Sequence, residues 1–405
     1  MAAQEGDPQL PLSGIRVVDL GRRLAAPVCG THLADFGADV IKVEIPDGGD
    51  LRRRTRPSEH INGLNPDFAV DNRNKRSVTL DLHSPVGQGL LKRLVGVSDV
   101  LLENFRPGTL EKWDLDHDQL SKVNPSLIVA RISAYGQTGP YGNRVGEATT
   151  TAAFAGHVYL NGFRDGPPLR LAAAYGDHLG ALFTLYGIMM ALRVRERTGQ
   201  GQVVDTALYE SLFRITGSLV PAYAAHGLIR NRRGNTDSDQ PAVGIFLAGD
   251  GKYVAVDSGD DRHFARWAER IGRLDMVDNP SYRFVKDRIK HGPEIEEMIT
   301  QWIGDRTGYE VVAVLQELGI PSDVVNSAKE IYEEPHYHER GSILPVEVAG
   351  GSTMYMPGLQ PHLSETPGRV EKFSLQLGEH NEEVYQGLLG MSSAELAALK
   401  ADGVI

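Results

Sequence analysis

Strand and helix signals alternate almost without interruption through the first third of the chain, and this alternation restricts the fold more than any other property. Ile15-Arg16-Val17-Val18-Asp19-Leu20 reads as a buried strand, Ala25 to Phe36 as a small-residue helix, and Val40-Ile41-Lys42-Val43-Glu44, entered through Gly37-Ala38-Asp39, as a second strand. That is one βαβ unit. The pattern continues with a strand over Ser77–Leu82, a helix from Ser84-Pro85 to about Val95, a strand over Asp99–Glu103, a helix over Asp116–Val123 and a strand over Ser126–Ser133. Such repetition predicts an α/β fold, an open, mostly parallel, Rossmann-like sheet with helices on both faces. Ligands of these sheets sit beyond the C-terminal strand ends. Asn104, Phe105, Tyr135 and Gly136 follow such ends and are candidate site residues.

A βαβ unit also invites a dinucleotide. The loop after the first strand, Gly21-Arg22-Arg23-Leu24-Ala25-Ala26-Pro27, is not Gly-x-Gly-x-x-Gly, so a nicotinamide or flavin loses its support. No P-loop and no Gly-x-Ser-x-Gly elbow occurs. The 13 histidines are scattered. His336 and His338 are placed to share one side of a strand but have no third ligand at useful spacing, and no metal is expected.

A chain of 405 residues is long for one core, which predicts a large domain and a second, smaller α+β domain. The large domain is expected over 1–217, a linker over 218–240, the small domain over 241–331, and a return to the large domain over 332–405. In the small domain Gly249-Asp250-Gly251 marks a hairpin turn, and helices are expected at Arg262–Ile271, Pro293–Trp302 and Thr307–Leu318. Pro335 to Glu371 reads as loop. A net charge of −11 argues against nucleic-acid binding, and no apolar run reaches spanning length. The opening residues show no secretory pattern, and the single cysteine, Cys29, suits a reducing compartment; a cytoplasmic protein is expected. Two basic clusters, Arg52/Arg53/Arg54/Arg56 and Arg73/Lys75/Arg76, read either as solvated loops or as a groove for a polyphosphate.

Tyr175-Gly176-Asp177-His178-Leu179-Gly180 opens a long apolar helix that closes at Arg197-Thr198-Gly199-Gln200-Gly201-Gln202. Asp177 has two readings. As a cap it accepts backbone N–H bonds and stays ionised in the helix dipole. In an enclosed site the same carboxylate is a nucleophile toward an activated acyl group.

The order of segments resembles the family III CoA-transferases, which include formyl-CoA and carnitine-related transferases and, as a branch, α-methylacyl-CoA racemase. The matching pieces are Leu12–Leu20, Ala26-Pro27, Phe36–Glu44 with Gly49-Asp50, Asn72–Ser77, Glu103–Gly108, Tyr135–Pro140, Gly176-Asp177 and Thr198–Gln202. The resemblance implies a catalytic role for Asp177. It implies CoA contacts from the Asn72–Ser77 loop, including Arg73, Asn74 and a Lys75 that reaches the nucleotide. It adds Asn104 and Phe105 as channel lining, Lys112 as a basic CoA contact, and Tyr135-Gly136 as an active-site wall. Arg22, Arg23 and Leu24 fall next to the thioester; family members often carry Gln where this chain has Leu24. The racemase branch needs a histidine in a Gly-His-Asp context, where this chain has Gly146-Glu147-Ala148, and His157 lies ten residues on. Transfer is therefore favoured over racemisation, with a non-catalytic CoA-binding subunit as a further alternative. CoA or acyl-CoA is the implied substrate, without metal, nicotinamide or flavin. Arg22, Arg23 and Arg73 would suit a small dicarboxylate, with succinyl-CoA as donor and malate or citramalate as acceptor. Amides around Gly136 are candidate oxyanion donors, and Gly227–Pro241 and Ser258–Asp261 candidate closing loops. The resemblance also implies an interlocked homodimer, with a paralogous subunit as a variant of that arrangement.

Overall fold

The computed structural model describes residues 10–237, 239–348, 350–373 and 376–405. The chain divides into two compact units. One takes in the chain through His157, Leu171–Gly217 and His336–Ile405; the other is Val158–Arg170 with Ser218–Pro335.

The first unit is built on a six-stranded, wholly parallel sheet: β1 (Arg16–Asp19), β2 (Asp39–Glu44), β3 (Arg76–Thr79), β4 (Val100–Glu103), β5 (Ile128–Ser133) and β6 (Val203–Ala207). Its order is β3-β2-β1-β4-β5-β6. The chain winds outward from β1 to β3, then crosses to β4 and winds the other way, so the switch point lies between β1 and β4. Every residue of β4 and β5 is buried, because both faces of the sheet are covered. Alternate side chains divide between two cores. Val18, Leu20, Ile41, Leu101 and Val129 pack with α3 (Pro85–Val95) and α5 (His117–Val123). Val17, Val40, Val100, Leu102, Ile128 and Ala130 pack with α1 (Ala25–Asp35) and the long α8 (Tyr175–Thr198). Between them in the chain lie α2 (Pro66–Asn72), α4 (Thr109–Lys112), α6 (Ala148–Phe154) and the single turn α7 (His157–Leu160); α9 (Leu208–Arg214) follows β6.

Local chemistry sets the helix starts. Ser84 and Asn65 cap α3 and α2, each followed by proline at the first helical position. Asp116 caps α5. Gly199, at φ +71°, ends α8 in the left-handed conformation.

The C-terminal segment returns to this sheet. Asn381 accepts from the N–H of Thr79 at 2.8 Å, the Tyr385 hydroxyl donates to the Thr79 carbonyl at 2.7 Å, and Val404 and Ile405 enter the first core. The stretch expected to be loop from Pro335 onward instead holds a short helix, Pro335–Glu339, and an antiparallel ribbon, β10 (Ile343–Val348) with β11 (Ser352–Pro357). Pro345 hides the first strand in the sequence, yet a two-stranded ribbon has only edges, where proline is tolerated. His336 and His338 therefore lie on a helical turn, not on a strand.

In the second unit the antiparallel strands β7 (Val243–Leu247), β8 (Tyr253–Asp257) and β9 (Ser322–Val324) carry a core of Phe246, Val254, Trp267, Ile295, Ile299 and Val311. Helices Asp261–Arg270, Gly292–Gly304 and Gly308–Glu317 supply its other wall. The segment Ser258–Asp261 is clamped: the buried Arg288 donates to the Gly259 carbonyl at 2.7 Å and pairs with Asp261 at 2.9 Å.

Candidate active site

The loops leaving β1 and β4 meet at the switch point. The N–H of Arg22 donates to the Asn104 side-chain oxygen at 2.8 Å, and the Asn104 amide donates back to the Arg22 carbonyl at 2.8 Å. This reciprocal pair bridges the two divergent crossovers. A cavity of about 530 Å³ opens beside it, lined by Arg22, Arg23, Asn104, Phe105 and Trp113 at its rim and by Lys42 and Asp50 deeper in.

Below the cavity lies a buried chain of charges. Lys42 donates to the Gly21 carbonyl and pairs with Asp50 at 3.4 Å. Burial pushes the Lys42 pKa down, but Asp19, Asp50 and Glu44 outweigh it and hold the ammonium charged. Burial likewise pushes Asp50 up, and Lys42 with the N–H groups of Arg52 and Arg23 holds it below the usual carboxylate range. Glu44 pairs with Arg53 at 2.7 Å.

Lys75 belongs to this floor. Its ammonium is wholly buried and donates to Asp19 at 2.9 Å, the Pro27 carbonyl at 2.7 Å, the Asp71 carbonyl at 3.1 Å and the Asn72 side chain at 3.0 Å. An ammonium has three protons. Four acceptors therefore leave none for a nucleotide, and the expectation that Lys75 reaches CoA does not fit this geometry. Arg73 is similarly committed, to Asp35 at 2.7 Å and to the Pro357 carbonyl at 2.7 Å. Asn74, at φ +63°, donates to Asp35 and accepts from the N–H of Glu371 at 2.7 Å. The Asn72–Ser77 segment is thus a strut between α1 and the returning chain. The Arg52–Arg56 cluster is also largely engaged: Arg52 faces Asp71 at 3.2 Å and Asp67 at 3.4 Å, and Arg56 faces Glu59 and Asp67 at 3.6 Å. Lys112 is exposed at the end of α4, outside the cavity lining, although its neighbours Thr109 and Trp113 line it. Leu24 is buried in the core at the start of α1.

On the other side of the switch, Tyr135 is buried in an aromatic cluster with Phe154 at 5.3 Å and Tyr209 at 6.0 Å between ring centres. The N–H of Gly136 donates to Ser133 Oγ at 3.0 Å and that of Gln137 to Asp205 at 3.0 Å, so the amides expected to serve an oxyanion already have partners.

Asp177 is the third residue of α8, and the helix has no side-chain cap. Two glycines explain how the helix start is seated. A Cβ at Gly176 would sit 3.0 Å from Leu212 and 3.5 Å from Thr151, and one at Gly180 would sit 2.6 Å from Leu208. With hydrogen there instead, the first turn of α8 settles between α6 and α9. Glu147, at the start of α6, accepts from Arg23 Nη1 at 2.7 Å. Asp177 is half-buried, and its pKa is raised to about 6. Burial is the largest cause and Glu147 pushes the same way, while its own backbone N–H, Arg52 and Arg23 oppose them. Asp177 does not line this cavity; Arg23 does, and it pairs with Glu147, whose helix α6 packs against the first turn of α8. His157 donates from Nε2 to the Leu212 carbonyl, 2.9 Å away, and serves packing. The sequence left Glu147 and Asp50 without a role, Asp50 carrying a signal only as the end of the Gly49-Asp50 match, and it offered Arg52 only as one of a basic cluster, not as a neighbour of α2.

Comparisons with known proteins identify the family of the chain. The model of CoA-transferase family III matches residues 12–381. The chain is 42% identical over 400 residues to the succinyl-CoA–L-malate CoA-transferase beta subunit of Chloroflexus aurantiacus, covering 98% of each chain. It is 39% identical to the succinyl-CoA–D-citramalate CoA-transferase of the same organism, covering 98% of this chain and 99% of that one. A solved CaiB/BaiF family protein from Brucella suis superposes with a TM-score of 0.83 at 29% identity, covering 94% of this chain and all of that one. The chain belongs to CoA-transferase family III and is an acyl-CoA:carboxylate CoA-transferase.

Proposed function

We propose that Asp177 carries the acyl group and CoA in turn, with succinyl-CoA as donor and a C4–C5 dicarboxylic acid such as malate or citramalate as acceptor. The observation that carries this reading is the half-buried Asp177 carboxyl on the first turn of α8, a turn seated between α6 and α9 by Gly176 and Gly180, where burial raises the carboxyl's pKa to about 6. At neutral pH it is ionised yet poorly solvated, the state a carboxylate nucleophile needs.

Asp177 attacks the succinyl thioester carbonyl and expels CoA thiolate, leaving a mixed anhydride. The thiolate attacks the aspartyl carbonyl and releases succinate, leaving an aspartyl-CoA thioester. The acceptor carboxylate attacks that thioester, thiolate leaves again, and its attack on the acceptor carbonyl of the new anhydride yields acceptor-CoA and free Asp177. One thioester replaces another, so no energy input is required. Arg22 and Arg23 are exposed at the cavity rim and supply cations for the second carboxylate of a diacid. The names of the Chloroflexus relatives support the same substrates. Asn104 and Phe105 line the pantetheine path, with Tyr135 and Gly136 as the opposite wall; Lys112 contributes a surface charge for the nucleotide.

Assembly belongs to the same reading. α8 exposes Leu182, Tyr186, Met189 and Met190, an apolar face that suits a second copy of the chain. Relatives named as alpha and beta subunits support a paralogous partner as the variant of that arrangement. The buried thiol of Cys29 accords with a cytoplasmic, reducing setting.

A panel of acyl-CoA donors against mono- and dicarboxylic acceptors tests the assignment. Succinyl-CoA with a C4–C5 diacid is expected to give the highest kcat/KM. Equal turnover of monocarboxylic acceptors would remove the diacid assignment.

A further inference from the structure

Asp50 is nearly inaccessible, yet it serves two separate pieces of chain, the loop after β1 and the turn after β2. Its carboxylate accepts from the N–H of Arg23 at 3.0 Å and from the N–H of Arg52 at 2.9 Å. Lys42 stands behind it at 3.4 Å, and the Asp50 N–H is itself anchored to Glu44 at 2.9 Å. Arg23 needs such an anchor, because its φ of +64° is a conformation that side-chain-bearing residues rarely adopt. From that backbone its guanidinium reaches Glu147 at the start of α6, which packs against the first turn of α8. Arg52 leaves the same carboxylate in the other direction, toward Asp67 and Asp71 on α2.

We propose that Asp50 is a positioning residue for the transfer reaction: one buried carboxylate fixes the backbones of Arg23 and Arg52, and thereby holds the Arg23 guanidinium on Glu147, at the start of the helix that packs against the first turn of α8, and the Arg52 guanidinium on α2. This rests on the reading of Asp177 as the nucleophile. The groups that act on Asp177 are Arg23 from the β1 loop, Arg52 from the turn after β2 and Glu147 from α6, and Arg52 also acts on the neighbouring His178. The two arginines favour the ionised carboxyl and Glu147 disfavours it. Releasing the arginines therefore raises the Asp177 pKa and moves the acidic limb of activity to higher pH.

The test is single-turnover formation of the Asp177-bound acyl species from succinyl-CoA, followed against pH in Asp50→Asn and Asp50→Ala. Asparagine keeps one acceptor oxygen and alanine none. The expected result is a midpoint displaced upward by about one pH unit in alanine and by less in asparagine, with rates at high pH recovering toward wild type. Because either change strands the Lys42 charge, Lys42→Met/Asp50→Asn is measured alongside, and thermal melting establishes that each variant is folded. A rate reduced equally at every pH, with the midpoint unmoved in folded variants, overturns the proposal and makes Asp50 a mere scaffold. Acyl label on the wild-type enzyme at a residue other than Asp177 overturns instead the nucleophile assignment, which separates the two failures.

Discussion

As the proposed nucleophile, Asp177 balances two demands. A nucleophilic carboxylate must be ionised at the working pH, but a strongly stabilised anion attacks poorly. Burial and Glu147 push its pKa up while Arg23, Arg52 and its own N–H pull it down, and the balance at about 6 leaves it ionised near pH 7. kcat/KM is therefore expected to fall below about pH 6, as a pH–rate profile measures. Glu147→Gln removes a charge that raises this pKa. The acidic limb is expected to move down by roughly half a pH unit, the direction opposite to the Asp50 variants. Asp177→Asn is expected to lower kcat by at least about 10³-fold, while CoA affinity measured by calorimetry stays near wild type. At this scale the sequence showed which side chains carry charge but not where each charge is spent. Lys75 sits in a basic string, and nothing local indicates that Asp19, fifty-six positions earlier, takes up its ammonium. Arg73 is hidden in the same way by Asp35. Asn104 was legible as a residue past a strand end, because strand ends can be read from hydrophobic runs and are where such sheets place their ligands, whereas Arg22 entered only through the family resemblance.

Among elements, α8 and the turn that follows it show how motif residues acquire meaning only from what surrounds them. In Thr198-Gly199-Gln200-Gly201 both glycines serve backbone, but for different reasons. Gly199 supplies the left-handed helix end. Gly201 lies so close to the chain before β5 that a Cβ would meet the Leu127 carbonyl at 1.9 Å. Gly199→Ala is expected to cost about 1 kcal/mol and Gly201→Ala about 3 kcal/mol or more, read from urea denaturation. The strands and helices around them were legible to within a few residues, since burial on both faces leaves unbroken apolar runs and the caps are local. The β10–β11 ribbon was not: it pairs across a Gly-rich turn, contains Pro345, and owes its core contacts to Ala69 on α2. α2 also carries a stability signature. Burial raises the Asp71 pKa to about 7, with Arg52 and Lys75 opposing. A carboxyl whose folded pKa is raised binds its proton more tightly in the folded state. Its contribution is fully present below about pH 4 and is lost as pH rises through about 7. Asp71→Asn is expected to flatten the fall in stability across that window, by an amount on the order of 1–3 kcal/mol, in melts recorded from pH 4 to pH 8.

For the whole molecule, one topological fact organises the chemistry. Reversal of winding between β1 and β4 leaves a gap at their C-terminal ends, and the Arg22–Asn104 pair holds that gap open as a cavity. The long helix then brings Asp177 to the neighbouring edge from a position seventy-odd residues further along the chain. Helix α8 leaves an apolar face uncovered by its own chain. If a second copy covers it, Tyr186→Glu/Met190→Glu should shift the protein to monomer, as light scattering coupled to size exclusion detects. An unchanged oligomer would place the interface elsewhere. Such an arrangement could not be read from periodicity, because a helix apolar on all sides looks the same whether its own chain or a partner covers it.

The central claim is that Asp177 becomes transiently acylated. Incubating the enzyme with succinyl-CoA alone, quenching with hydroxylamine and sequencing the peptides by mass spectrometry tests it directly. A hydroxamate is expected at Asp177, stoichiometric with active sites and absent from Asp177→Ala. Full turnover by wild type with an unmodified Asp177, or undiminished transfer by the alanine variant, would contradict it.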